Sequence, residues 1–355
     1  MYPATDAKVG SPVVYPSTAS GLVSPRFPRQ HTFNPRFARD YTLLEELGSG
    51  GYSFVMVALH RPSGLECAVK FIVKAKIPAR AWMLLDDGSR LPSEIVLLRA
   101  IDHAHVVKFI EWFEDEDHFY LVQELHGSPW FRTSPSPTIS ASSSLPSLSP
   151  SDSTDSITLS PPITPPSSPF CAPQLRYPRR PSYDLFEFIE QHKEKRLSED
   201  QARCVLKQVV EAVFFLDGHG LTHRDIKDEN IVIDDAMLVK LVDFGSCVVE
   251  KLPRPYHTTF FGTSAYASPE ILKKQPYQAP PAEVFSIGVL LVFMLTGYSP
   301  FLTPRDAMEG NIVLTELPKE LHESPALDLI RVCLEVDVQK RATIEQVRAH
   351  PWLRY

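Results

Sequence analysis

The sequence predicts an α+β protein of two lobes: a small antiparallel β-sheet lobe carrying one main helix, then a larger, mostly α-helical lobe. Three observations predict it. Apolar residues alternate with polar ones through much of residues 41–124, they recur at helical spacing through residues 182–353, and a Ser/Pro-rich stretch divides the two. With 355 residues, 43% of them hydrophobic, the chain is long enough for two lobes with a substantial core.

The elements follow in order. Residues 1–40 are rich in Pro, Ser and Arg without a sustained period and read as a disordered, locally basic tail. "YTLLEELGSGGYSFVMVALH" reads as a hairpin and "LECAVKFIVK" as a third strand. "LPSEIVLLRAI" carries helical spacing, with Ser93 as its N-terminal cap. "VVKFIEWFEDEDHFYLVQEL" reads as two strands around a charged turn. Residues 128–181 are dominated by Ser, Pro and Thr, too poor in apolar surface to offset their ordering entropy, and read as a disordered insertion. Pattern resumes at "YDLFEFIEQH", and "EDQARCVLKQVVEAVFFLDGHG", "AEVFSIGVLLVFMLTG", "SPALDLIRVCLEV" and "TIEQVRAHPWL" read as helices.

Composition narrows the function. A formal net charge of -7 gives no electrostatic case for nucleic acid or membrane as partner. Cys67, Cys171, Cys204, Cys247 and Cys333 are odd in number and dispersed, which suits reduced thiols rather than a disulfide frame or zinc site. The run "VFSIGVLLVFML" is short enough for a buried helix, and the N-terminus lacks the apolar core of a signal peptide. A cytoplasmic or nuclear location is expected.

The chemistry concentrates in "HRDIKDEN" (223–230), followed by "IVIDDAMLVKLVDFG". His-Arg-Asp alone would equally suit a solvated turn. The ordered set of Asp225, Lys227, Asn230 and then Asp243 suits phosphoryl transfer. One carboxylate orients an attacking hydroxyl and accepts its proton, an ammonium steadies charge on the migrating group, and an amide with a second carboxylate offers hard oxygens to Mg²⁺. "LGSGGYSFV" (47–55) nearly fits a phosphate-covering glycine loop, with Gly48, Gly50 and Gly51 but Ser53 at the last glycine position. Alone, it also fits a Gly-rich hairpin.

Together these motifs resemble the eukaryotic protein-kinase family, over residues 41–352 apart from the insertion. "CAVK" (67–70) and "PSEIVLL" follow the glycine loop in the family's order. The resemblance implies that Lys70 contacts nucleotide phosphates and pairs with Glu94. It makes Asp225 the catalytic base, Lys227 the phosphate-steadying residue, and Asn230 and Asp243 the metal ligands. Leu47, Gly48 and Gly50 would cover ATP, with Tyr52 capping the phosphates from above. Val55, Ala68 and Val232 would sandwich the adenine, Glu124 would contact the nucleotide, and Asp184 would reach the ribose. Leu98, Phe109, His223 and Phe244 match the apolar stack that joins the lobes, and Glu270 with Arg341 a structural ion pair. The domain would then span residues 41–353, with an N-lobe at 41–124, a hinge at 125–127 and a C-lobe at 182–353. "YDLFEFIE", "LTHRDIKDENIVI" and "LVDFGS" are most similar to PAS-domain kinases, then to Pim kinases, both in the calmodulin-dependent kinase group.

The implied function is transfer of the γ-phosphoryl group of Mg-ATP to Ser or Thr of protein substrates, in signalling or metabolic control. The alternative is a pseudokinase or scaffold acting through the fold and the insertion. Ser134, Ser136, Ser149, Ser160, Thr164 and Ser168 each precede Pro, which makes regulatory kinases candidate partners at the insertion; a neutral mobile loop is the other reading. Ser182, in "RRPS", is a candidate phosphorylation site beside Asp184. Thr259 is the candidate acceptor on the activation segment (243–270), although PAS-like kinases resemble enzymes that need no such phosphate. Departures from the pattern are Glu283 where an Asp usually braces the catalytic loop, Gln123 at the gate behind adenine, and Phe293 where Arg-directed kinases place an acid.

Overall fold

The computed structural model describes residues 26–28, 31–127, 182–313 and 323–354. A short helix α1 (Pro35–Asp40) leads into β1 (Tyr41–Ser49), β2 (Ser53–His60) and β3 (Leu65–Val73). A small hairpin, β4 (Trp82–Leu84) with β5 (Arg90–Pro92), runs directly into helix α2 (Ser93–Ala100). Strands β6 (Phe109–Glu114) and β7 (His118–Glu124) complete an antiparallel five-stranded sheet in the order β1-β2-β3-β7-β6.

Strand alternation gives this sheet two buried faces. Ile72, Phe119 and Leu121 face α2, where Ile95 and Leu98 join the same core. Cys67, Val69, Phe71, Tyr120 and Val122 face the other way. Ala68 and Lys70 share the parity of Ile72, so β3 presents them on the side opposite Phe71.

The outer face is covered by residues that composition assigned to a disordered tail. Phe27 and Phe37 are buried against Phe54, Phe71 and Tyr120, and Phe33 packs beside them. Asn34 caps α1, accepting the backbone N–H groups of Arg36 and Phe37, and donates to the Glu114 carbonyl at 2.9 Å. The three aromatics are diluted among Pro and Arg, so their apolar character shows only when the sheet supplies a partner surface. The order expected to begin at Tyr41 therefore begins earlier, and the tail reading is corrected for residues 26–28 and 31–40. The disorder expected of the insertion at 128–181 lies outside the described residues.

Two smaller expectations also change. Ser93 is the first helical residue and makes no capping hydrogen bond; Pro92 holds the cap position. Pairing of β5 with β4 keeps residues 90–92 extended, so the helix starts where the hairpin ends. "TIEQVRAHPWL" forms two short helices rather than one, because Pro351 opens a new turn.

The second lobe runs β8 (Ser182–Asp184), α3 (Leu185–Glu190), α4 (Glu199–Gly218), β9 (Leu221–Thr222), β10 (Ile231–Asp234), β11 (Val239–Leu241), β12 (Val248–Val249), α5 (Pro269–Leu272), α6 (Ala279–Thr296), α7 (Pro304–Glu309), α8 (Pro325–Cys333), α9 (Ile344–Arg348) and α10 (Pro351–Arg354). Helix α4 starts at a reciprocal Ser198–Gln201 capping box and buries the stripe Val205, Val209, Ala212, Val213 and Leu216. Helix α6 is long and apolar enough to cross a membrane by length and composition, but it is mostly buried in this lobe's core. It lies so close to α8 that a side chain at Gly288 would meet Cys333 and Leu334 at 2.8 Å. The family-type ion pair is present: Arg341 donates to both Glu270 oxygens, at 2.8 and 2.9 Å, with both side chains buried.

Candidate active site

The candidate site is assembled from both lobes. Lys70, on β3, donates to Glu94 of α2 at 2.6 Å and to Asp243 at 2.9 Å. Burial alone would lower the Lys70 ammonium, but the Asp243 and Glu94 carboxylates more than offset it and hold its pKa above the ordinary lysine range. Lys70 in turn holds the Asp243 carboxyl well below its usual range, against the effect of burial. Asp243 adopts a left-handed backbone (φ 62°), and its carboxylate accepts the Gly245 N–H at 3.2 Å. An Asp tolerates this region better than most residues.

The loop between β9 and β10 supplies the remaining groups. Both oxygens of Asp225 are engaged: Thr263 Oγ1 donates to Oδ1 at 2.8 Å and Asn230 Nδ2 donates to Oδ2 at 2.9 Å. Asn230 Nδ2 also reaches the Asp225 carbonyl at 2.9 Å. Lys227 pairs with Glu229 at 2.6 Å and stands 3.9 Å from Asp225. Burial would lower its ammonium, but these two carboxylates leave it raised. Arg224 has a positive φ of 66°, and its N–H is held by Glu283 at 2.7 Å. Glu283 thus occupies the bracing position with one more methylene than Asp. His223 is fully buried, its ring 4.9 Å from Phe244, and Leu98 and Phe109 belong to the same core.

The glycine loop covers the cleft from the β-sheet lobe. Gly48 pairs with Val55, and Gly50 N–H donates to the Ser53 carbonyl at 2.8 Å. A Cβ at Gly48 or Gly51 would meet nothing within 4 Å, and one at Gly50 would meet only Ser53, at 3.8 Å. The protein itself does not demand glycine here, so the bare backbone suits close approach by a phosphate. Tyr52, expected to cap the phosphates, is half-buried. It packs against the interlobe core, and its hydroxyl approaches Gly245, where an added Cβ would lie 2.6 Å away.

Other expected residues are placed as follows. Val55 and Ala68 pack with Val57, Leu44 and Leu125, the last of these at the hinge. Leu47 is exposed on β1. Val232 lies on β10, opposite Asp184 of β8. Asp184 caps α3, accepting the Glu187 N–H at 2.7 Å, and burial raises its carboxyl. The Glu124 side chain is drawn away to Lys240 (2.6 Å) and the Lys108 N–H (2.9 Å). Any ligand contact from Glu124 therefore falls to its backbone.

Sequence reasoning missed the support behind the loop. Tyr266 donates to Asp228 at 3.0 Å, and a hollow beside the loop is lined by Glu229, Tyr266, Val289, Phe293 and Ser299. The signal was Asp228-Glu229 inside the quoted "HRDIKDEN", which polar character alone could not apportion.

This fold, with a paired lysine on a β-lobe and a carboxylate-rich loop on a helical one, defines a class, and comparison agrees. The chain matches the protein kinase domain over residues 41–134 and 177–353 and belongs to that family. Its relatives include the PAS domain-containing serine/threonine-protein kinase of Mus musculus, 30% identical over 88% of this chain and 18% of that protein. Maternal embryonic leucine zipper kinase of Xenopus tropicalis is 28% identical over 88% of the chain and 39% of that protein. NUAK family SNF1-like kinase 1 of Homo sapiens is 27% identical over 98% and 44%. The chain thus spans less than half the length of these relatives. Membership bears out the two-lobed kinase fold and the resemblance to PAS-domain kinases. It implies ATP as substrate and protein as acceptor.

Proposed function

We propose that this protein transfers the γ-phosphoryl group of Mg-ATP to Ser or Thr hydroxyls of protein substrates. The observation that carries the reading is the joined array: Lys70 tied to both Glu94 and Asp243, and Asp225 held at both oxygens by Thr263 and Asn230. Both lobes contribute to it: Lys70 and Glu94 come from the β-rich lobe, and Asp225, Asn230, Asp243 and Thr263 from the helical one.

Each residue then has a task. Asp225 orients the acceptor hydroxyl and takes its proton, and Thr263 with Asn230 fixes the carboxylate for that role. Lys227 faces the developing charge, steadied by Glu229. Lys70 holds the nucleotide phosphates, and Glu94 holds Lys70. Gly48 and Gly50 give backbone access to phosphate beneath Leu47. Val55, Ala68 and Val232 line the adenine position, the Glu124 backbone its edge, and Asp184 the ribose end.

Asn230 and Asp243 fit Mg²⁺. Asn230 spends its amide nitrogen on Asp225, which leaves its oxygen as a donor, and Asp243 is ionised with its side chain 48% exposed. When bound, Mg²⁺ supplies charge neutralisation for the transferring group. Lys227 is the feature that favours Ser/Thr over Tyr, and the names of the relatives agree. No observation favours the pseudokinase reading.

Asp225→Asn tests this assignment. The turnover number should fall by about 10²–10⁴-fold while ATP affinity changes by only a few-fold. Transfer at the wild-type rate would remove Asp225 from the chemistry.

A further inference from the structure

We propose that the N-terminal segment is clasped to the back of the β-rich lobe by a transition-metal site, with Zn²⁺ the fitting ion. His31, Asp117 and His118 would be its protein ligands. They bring one donor atom each to within 4.8 Å of one another. His31 belongs to the segment before α1, Asp117 to the turn between β6 and β7, and His118 to the first position of β7. His118 shares the parity of Tyr120 and Val122, so the cluster lies on the outer face of the sheet, on the side opposite Lys70.

Two features set this cluster apart from an ordinary ion pair. The first is burial without hydrogen bonding. The His31 and His118 side chains are 6% and 5% exposed, yet His31 Nε2 and His118 Nδ1 make no aligned hydrogen bond. Buried polar atoms rarely stay unpaired without a reason. The second is the state of the nearest carboxylate. Asp115 lies 2.9 Å from His31 Nε2 and 3.7 Å from His118 Nδ1. It already accepts the N–H groups of Asp117 and His118 and the Tyr120 hydroxyl. It is therefore heavily committed and cannot by itself satisfy two imidazoles.

The chemistry of the donors selects the ion. Two imidazoles and a carboxylate suit Zn²⁺ and disfavour the hard, oxygen-seeking Mg²⁺ and Ca²⁺. Tetrahedral Zn²⁺ wants its ligand atoms about 3.4 Å apart. Asp117, 53% exposed on a turn, is the ligand free to close that gap. Phe27 stacks on His31 at 4.8 Å and Phe33 meets its edge, so the site would sit within an apolar shell. A bound ion would join residues before α1 to the β6–β7 turn.

The test is titration of the whole protein with ZnCl₂ in excess Mg²⁺, followed by calorimetry and by thermal unfolding. Wild type should bind about one equivalent and unfold at higher temperature with zinc. Asp117→Ala, at an exposed position that leaves the apolar shell intact, should weaken binding at least about tenfold, and His31→Ala should abolish both effects. Absence of binding by wild type, or binding unchanged in both variants, would overturn the proposal.

Discussion

At Glu283 burial sets the electrostatics of a carboxyl that braces the catalytic loop. The side chain is buried, and its carboxylate accepts the Arg224 N–H. Burial pushes its pKa up to about 8, only partly opposed by the N–H groups of Arg224 and His223. The folded state thus keeps a proton that the unfolded chain gives up near pH 4.5. Between that value and about 8 the unfolded chain binds fewer protons, so Glu283 makes stability fall as pH rises through this window. Glu283→Gln should flatten the fall, measured as urea-unfolding free energy from about pH 6 to about pH 8. An unchanged slope would show that Glu283 does not titrate there. Tyr52, expected as a cap over phosphate, packs its partly buried ring against the interlobe core.

Among the elements, α1 and the activation segment carry the clearest expectations. Phe37 is 1% exposed and touches Tyr41, Phe71, Phe113 and Tyr120. Phe37→Ala should cost about 3–5 kcal/mol in denaturant unfolding; a cost near zero would mean that α1 does not stay docked. Carboxylates tie the activation segment to the helical lobe. Glu250 is buried and pairs with His257 and with Arg254, which also reaches Asp217. The Arg224 guanidinium, the group that would meet a phosphate, already donates to the Ser246 carbonyl at 2.6 Å and lies 5.1 Å from the Phe261 ring. Arg80 covers the same ring at 3.5 Å. Thr259→Ala should therefore keep activity within about twofold, because the charge-assisted contacts that order the segment do not include it. A large loss in steady-state assays would show that phosphate at Thr259 is needed.

Over the whole molecule, legibility followed locality. Asp225, Lys227 and Asn230 lie in one short string whose polar density has few explanations besides chemistry, and Asp243 follows a short strand. Their approach to Lys70 and Glu94 across the cleft was legible only through the family's order of motifs. What stayed hidden depends on distant partners. Phe27, Phe33 and Phe37 look like scattered aromatics until the outer face of the sheet covers them. The β4–β5 hairpin has three residues per strand, too few for a period to show. Glu124 looked free for the nucleotide until Lys240 claimed its side chain.

The central claim is that the array spanning the two lobes performs phosphoryl transfer to Ser or Thr. Its most direct test is incubation of the purified protein with Mg-ATP on an arrayed peptide library, with Asp243→Asn as control. The account predicts phosphate on Ser or Thr peptides with wild type and none with Asp243→Asn. No transfer by wild type, to any peptide or to itself, would contradict the account and leave a kinase-shaped binding module.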